Sequence, residues 1–215
     1  MQQIQRMSSS RLAALVSAAL LALGLAGCGA GANTDTAASS TSTGPELDRA
    51  FVAEMVPHHE SAIAMAEVAK QRGESDFVNS LADDIIESQS AEVKTLKAVD
   101  GQLEADGVQP GELGVPAHMM GMDSDVVSLQ SADPFDEVFI DMMVPHHQGA
   151  VVMARVELER GEDPRLQELA EAIVDAQSRE IDAMNSFREA EFGAPSPAGG
   201  VPPADDPGMG DHQGM

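Results

Sequence analysis

The chain has one cysteine, no tryptophan and no tyrosine, and 12 lysines and arginines against 36 acidic residues, for a formal charge of −24. Each shortage removes a class of function. A lone cysteine, Cys28, excludes disulfides and thiolate metal clusters. So few cations argue against nucleic acid, whose affinity for proteins comes from basic groups on phosphates. They also argue against a basic patch that docks on a membrane. Acidity is compatible with cationic partners, metal ions among them, although it serves solubility first. There is no glycine-rich phosphate loop and no Ser/His/Asp arrangement, so hydrolytic catalysis has no support. What the chain has in quantity is methionine, 13 residues of it. Soft-metal chemistry here has to come from thioethers and imidazoles.

The first 28 residues read as an export signal. Arg6 and Arg11 give a basic start, and Leu12 to Leu25 form an apolar run too short for a permanent membrane span. The run ends in Leu25-Ala26-Gly27-Cys28, which resembles the lipobox of bacterial lipoproteins, where the cysteine becomes the lipidated first residue. A plain signal with a chance cysteine is the alternative. The expected product is exported and anchored through lipid on Cys28 to the outer side of the cell membrane, or to the outer membrane if the cell has one. Without Arg6 and Arg11 its charge becomes about −26. Residues 29–44 are small and polar and read as a flexible tether.

Residues 55–69, MVPHHESAIAMAEVA, recur as MVPHHQGAVVMARVE at 143–157, a shift of 88. The register holds without a gap from Phe51/Phe139 to Leu96/Met184, so the repeat is a duplicated structural half. Four of the six histidines fall in the two Pro-His-His sites.

Helical spacing predicts a first helix from Gly44-Pro45 to Gly73, with Pro57 inside it, kinking it or restarting it. His58 and His59 lie on or beside its apolar face. A second helix follows Ser75 and runs to about Val99, before Gly101. Its apolar seam is interrupted by Gln89 and Glu92. Residues 101–132 form a long connection with a short helical turn at 124–129 and a His/Met group at 118–122. A third helix takes Asp133 as cap and Pro134 as its first residue. A fourth takes Asp163 and Pro164, and Gln177 and Glu180 interrupt its seam. From Gly193 the Pro/Gly-rich tail, with Met209, His212 and Met215, is expected to be disordered. The prediction is an all-α four-helix bundle over residues 45–192, two αα-hairpins joined by a long crossover, with the two Pro-His-His segments close together.

Met55 shares a helix face with His58 and His59, and Met143 with His146 and His147, so each group can meet one ion. Met65 lies two turns below His58 and would need Met184 or Glu180 from another helix. Met153 is its counterpart. Thioether with imidazole favours copper, Cu(I) above all. Glu92 and Glu180 either bind the ion or orient the imidazoles. Ordinary packing accounts for a Met stripe or a lone core histidine, but not for two matched His pairs beside Met and facing Gln and Glu. The groups at 118–122 and 209–215 suit weak copper capture by flexible chain, or are filler. A di-iron carboxylate site is disfavoured, because its two Glu-x-x-His pairs are missing.

The pattern F-x3-M-x2-HH-x2-A-x2-MA, followed by Q-x2-E-[IV]-x2-[ML], resembles the bacterial domain-of-unknown-function family 305 over about residues 46–192. The resemblance implies a ferritin-like bundle, often exported, with some members binding copper in copper tolerance. It places His58, His59, His146, His147, Met65, Met153 and Met184 at expected metal positions, with Leu96 replacing Met at the match of Met184. The expected function is copper sequestration or transfer without catalysis. The alternatives are an oxidase of Cu(I) or Fe(II) and a structural lipoprotein that binds no metal.

Overall fold

The computed structural model describes residues 42–122 and 125–204. The export signal, Cys28, most of the tether and the tail residues 205–215 lie outside them. The architecture is an all-helical bundle of two duplicated hairpins. α1 (Pro45–Arg72) pairs with α2 (Asp76–Ala105), and α4 (Phe135–Arg160) with α5 (Pro164–Phe192). A short α3 (Val126–Leu129) lies in the crossover. No helix among the described residues is long and apolar enough to cross a membrane.

The helix ends follow from local chemistry. Pro45 opens α1 with its ring-fixed φ and its missing donor, and Gly73 ends it. Ser75 caps α2 through the Val78 amide, and Asp163 caps α5 through the Arg165 amide. Gly193 closes α5 in the left-handed region, at φ 88°, where a side chain would be strained. α1 runs through Pro57 and does not restart there.

Two boundaries differ from the sequence expectation. α2 does not stop before Gly101 but continues to Ala105. Val99 and Leu103 pack on the core, and that burial outweighs the roughly 1 kcal/mol that an exposed helical glycine costs. At α4, Asp133 is not the cap and Pro134 is not the first helical residue. Pro134 stays extended (φ −68°, ψ 138°) and the helix opens at Phe135, which is fully buried.

The halves are locked by a reciprocal contact. Asp48, near the start of α1, accepts from the amides of Glu162 (2.8 Å) and Asp163 (3.0 Å), in the turn after α4. Asp136, near the start of α4, accepts from the amides of Glu74 and Ser75, both at 2.9 Å, in the turn after α1. Both carboxylates are buried. α1 and α4 are therefore antiparallel and related by an approximate two-fold. Each aspartate caps the second hairpin helix of the other half, where anions favour the amide-rich helix start.

The crossover is tied down by cations. Arg49 reaches the Val108 carbonyl (2.6 Å), Arg160 the Leu113 carbonyl (2.5 Å) and Arg72 the Gln130 carbonyl (2.6 Å). The tail also departs from expectation up to Ala204. Arg188 donates to the carbonyls of Ala194 and Pro195, Asn185 to Gly199, Gln148 to Ala198 and Gly200, and Arg155 to Pro202 and Pro203. Composition signals a lack of apolar cohesion, but it does not count the donors that α4 and α5 hold out to a passing backbone.

Glu157 is fully buried, and neither carboxyl oxygen has a donor to accept from. Burial first, then the Asp48 charge and a hydrogen bond to it, push its pKa up to about 9. As a carboxylic acid it can donate to Asp48. An unfolded chain loses this proton near the ordinary glutamate value of 4.5. Between these two values the folded state binds more protons, so stability falls as pH rises, by up to about 1.4 kcal/mol per pH unit. Glu157→Gln keeps a donor and removes the charge. Urea denaturation should find the variant close to the parent at pH 5 and more stable by roughly 2–5 kcal/mol at pH 8. The same difference at both pH values would show that Glu157 is ionised in the fold.

Candidate metal centre

The α1–α4 pairing brings the two Pro-His-His segments together, as the repeat predicts. The rings of His58 and His146 lie against each other, 3.8 Å between centroids and tilted by 37°. His59 flanks His58 at 6.2 Å and His147 flanks His146 at 6.5 Å. The four buried imidazoles thus form a row, 59–58–146–147, about the approximate two-fold.

Their hydrogen bonds decide which nitrogen is free. His59 Nε2 donates to Glu92 Oε2 and His147 Nε2 to Glu180 Oε2, both at 2.6 Å. His58 Nε2 donates to the Met120 carbonyl at 2.9 Å, an acceptor that leaves no choice of role. A neutral imidazole that donates from Nε2 presents Nδ1 as a lone pair. The Nδ1 atoms of all four histidines are buried without a partner, and so is Nε2 of His146. Buried polar atoms with no partner are rare, and imidazole lone pairs aimed at nothing are available as ligands. Glu92 and Glu180 are engaged at the far nitrogens, where they fix the ring orientation and raise ligand basicity.

Burial holds two of these rings neutral. It pushes the His58 pKa down to about 3, with the neighbouring His59 adding to the effect and the Met120 carbonyl opposing it. Burial, then the nearby His58 and the other two imidazoles, push His146 well below the ordinary value of 6.5. Neither ring has to release a proton at neutral pH before it binds an ion.

Five of the expected methionines are fully buried, on two sides of the row. Met55 and Met153 belong to one core cluster, with Met119 and Met120 packed against it. Met65, Met143 and Met184 belong to the other. Each side therefore mixes the halves: a methionine preceding one histidine pair joins the methionine following the other. Leu96 takes the place of Met184 in the first cluster. Among the described residues no three His, Asp or Glu side chains converge as a ligand set. An ion at the row would draw on sulfur as well as nitrogen.

Sequence reasoning missed the covering loop. Residues 117–121 read as loose chain, yet they are seated on α4. A Cβ at Gly149 would overlap the Met120 carbonyl, and one at Gly121, which has φ 67°, would overlap the Pro145 carbonyl. Only glycine permits this approach. The signal was present in Gly149, which replaces Ser61 of the first repeat. The buried Gln89 and Gln177, noted in the seams but not as site residues, also leave side-chain oxygens unpartnered.

Residues 25–100 and 102–188 each match the family model described as Domain of unknown function (DUF305). The chain belongs to this family. The two DUF305 matches divide the chain where the repeat does. Among solved structures it is similar to CopM in the Cu(I)-bound form, at 36% identity over 67% of this chain and 97% of that one, with a TM-score of 0.59. A putative secreted DUF305 protein from Streptomyces coelicolor shares 27% identity over 70% of this chain and 96% of that one, at a TM-score of 0.60. A DUF305 fragment from Deinococcus radiodurans shares 34% over 66% and 94%, at 0.56. An uncharacterized protein, L153, of Acanthamoeba polyphaga mimivirus is 39% identical over 52 residues, 24% of this chain, which spans about a third (34%) of that relative's length.

The hydrogen-bond pattern predicts the ring tautomers. In the metal-free protein at pH 7, two-bond ¹⁵N–¹H spectra should place a proton on Nε2 of His58, His59 and His147. A bare Nε2 with the proton on Nδ1 of His58 would contradict the role of the Met120 carbonyl.

Proposed function

We propose that this chain binds copper, Cu(I) in preference, at the imidazole row and its flanking methionines. In this reading it is an exported protein held by lipid on Cys28, and it sequesters copper or hands it on without catalysing a reaction. The observation that carries the proposal is the row itself: four buried histidines, each with an unpartnered Nδ1, between two clusters of buried methionines. Soft cations suit thioether and imidazole, and thioethers need lose no proton to bind. The similar CopM structures, in Cu(I)-bound, Cu(II)-bound and Ag-bound forms, support the choice of metal.

The residues have separable parts. His58 and His146 would supply nitrogen at the centre, and His59 and His147 at its flanks. Met65, Met143 and Met184 would supply sulfur on one side, and Met55 and Met153 on the other. Glu92 and Glu180 would hold the flanking rings. The side with three methionines is the better soft-metal side, because Leu96 offers no donor to the other.

Anaerobic Cu(I) titration of the chain from residue 29, against a competing chelator, tests this. His58→Ala/His146→Ala should abolish tight uptake at the row. Glu92→Gln with Glu180→Gln should weaken it by roughly 10–100-fold while the fold survives. Copper at 100 times its dissociation constant should stabilise the parent by about 2.7 kcal/mol and the His variant far less. Equal uptake at the row by the parent and the His variant would end the proposal, and steady oxygen consumption with Cu(I) would replace binding with oxidase activity.

A further inference from the structure

The imidazole row is sealed from solvent: none of its four histidines exceeds 1% exposure. The glutamates behind its flanking rings are not sealed. The Glu180 side chain is 21% exposed and that of Glu92 16%. Each is one hydrogen bond from a buried imidazole. An ion that reaches either carboxylate has therefore arrived at an end of the row.

At Glu180 the surface opens. A cavity of about 340 Å³ lies between α2 and α5, with Ser80, Leu81 and Asp84 on one side and Ala176, Glu180 and Ala183 on the other. Phe77 walls part of it, held by stacking on Phe187 at 4.5 Å between centroids. Glu180 holds His147 through Oε2, which leaves Oε1 for the cavity. Leu81 belongs to the core cluster that contains Met65, Met143 and Met184, and Ala183 is next in sequence to Met184. The cavity therefore adjoins the side with three thioethers.

The repeat gives a built-in comparison at Glu92. Charge does not separate the two ends: Asp84, Arg179 and Glu180 here, and Arg165, Glu168 and Glu92 in the matched positions there, are each two acids and one base. Bulk does separate them. Ser88 and Thr95 stand in the places of Ala176 and Ala183, each with its hydroxyl turned back on its own helix, to the carbonyls of Asp84 and Ala91. Leu169, the match of Leu81, packs on the other cluster, where Leu96 stands in place of a thioether.

We infer that the α2–α5 cavity is the port through which a soft monovalent cation enters and leaves the row, with Glu180 as its transit ligand. The inference rests on the copper reading of the row itself. A carboxylate is a hard donor and holds Cu(I) weakly. A group on a transfer path has to hold an ion well enough to admit it and loosely enough to release it. Farther in, the thioethers and imidazoles are the stronger donors. Asp84 at the mouth raises the local concentration of cations, an effect of exposed charge that salt screens.

The test is the rate of Cu(I) release, since entry and exit share a path. The copper-loaded chain from residue 29 is mixed anaerobically with excess bathocuproine disulfonate and followed by absorbance. The phase absent from His58→Ala/His146→Ala belongs to the row. Ala183→Leu fills the cavity from an exposed position. It should slow release by about tenfold or more, equivalent to about 1.4 kcal/mol of added barrier, with the dissociation constant unchanged. Thr95→Leu, the matched change at Glu92, should release copper at the parent rate. Asp84→Asn should slow uptake of Cu(I) from acetonitrile about threefold at low salt and lose that difference at about 1 M salt, whereas the matched acid change Glu168→Gln should not slow it. Parental release by Ala183→Leu, or equal slowing by Thr95→Leu, would overturn the port and leave the copper site standing. Absence of tight Cu(I) uptake by the parent chain would remove both.

Discussion

Two buried aspartates set the geometry on which everything else rests. Asp48 and Asp136 each leave one half of the molecule to cap the hairpin turn of the other. Helices are stiff over this length, so fixing both ends of an antiparallel pair fixes its register. A slip of one turn would strip four amides, and both buried carboxylates, of their partners, and charge-assisted bonds of this kind are worth roughly 1.5–3 kcal/mol each. That register brings His58 against His146 and sorts the methionines into two mixed clusters. Neither hairpin alone contains the row.

At the row, the polar groups are satisfied on one side only. The outer nitrogens of His58, His59 and His147 are spent on a loop carbonyl and two glutamates. Their inner nitrogens have nothing. Leaving such atoms in an apolar interior is costly, and proteins keep the cost where a ligand removes it. Carboxylate behind imidazole is also the arrangement that holds a metal-binding ring in place. The neutral state of His58 and His146 is a result of the same burial.

The halves have diverged around this shared centre. Arg49 pairs with Asp100 in the first, while Arg188 pairs with Glu137 in the second, so matched positions keep the ion pair and reverse its polarity. A pair seen only as a pair tolerates this exchange, but its surroundings do not: Arg188 has donors left over for the carbonyls of Ala194 and Pro195. Ala69 is matched by Glu157, which turns a quiet helix end into a proton-holding one. Leu96 against Met184 makes the two methionine clusters unequal. Approximate symmetry supplies the row, and departures from it supply the differences between its two sides.

Much of this was legible in the amino-acid order. The shift of 88 residues, the third-and-fourth apolar spacing and the Pro and Gly punctuation determine four helices in two hairpins, because these are properties of adjacent residues on a single rod. The same spacing puts the histidines on buried faces and Gln and Glu in the facing seams. Tertiary structure alone decided the rest. It joined Met65 to Met143 across the halves, took Glu92 and Glu180 to the outer ring nitrogens, seated the Met120 carbonyl on His58, and strapped residues 194–203 to α4 and α5. Those outcomes depend on which faces meet and which donors a passing backbone encounters. Met65 and Met143 lie 78 positions apart and His58 and Met120 62, and no local pattern encodes such contacts.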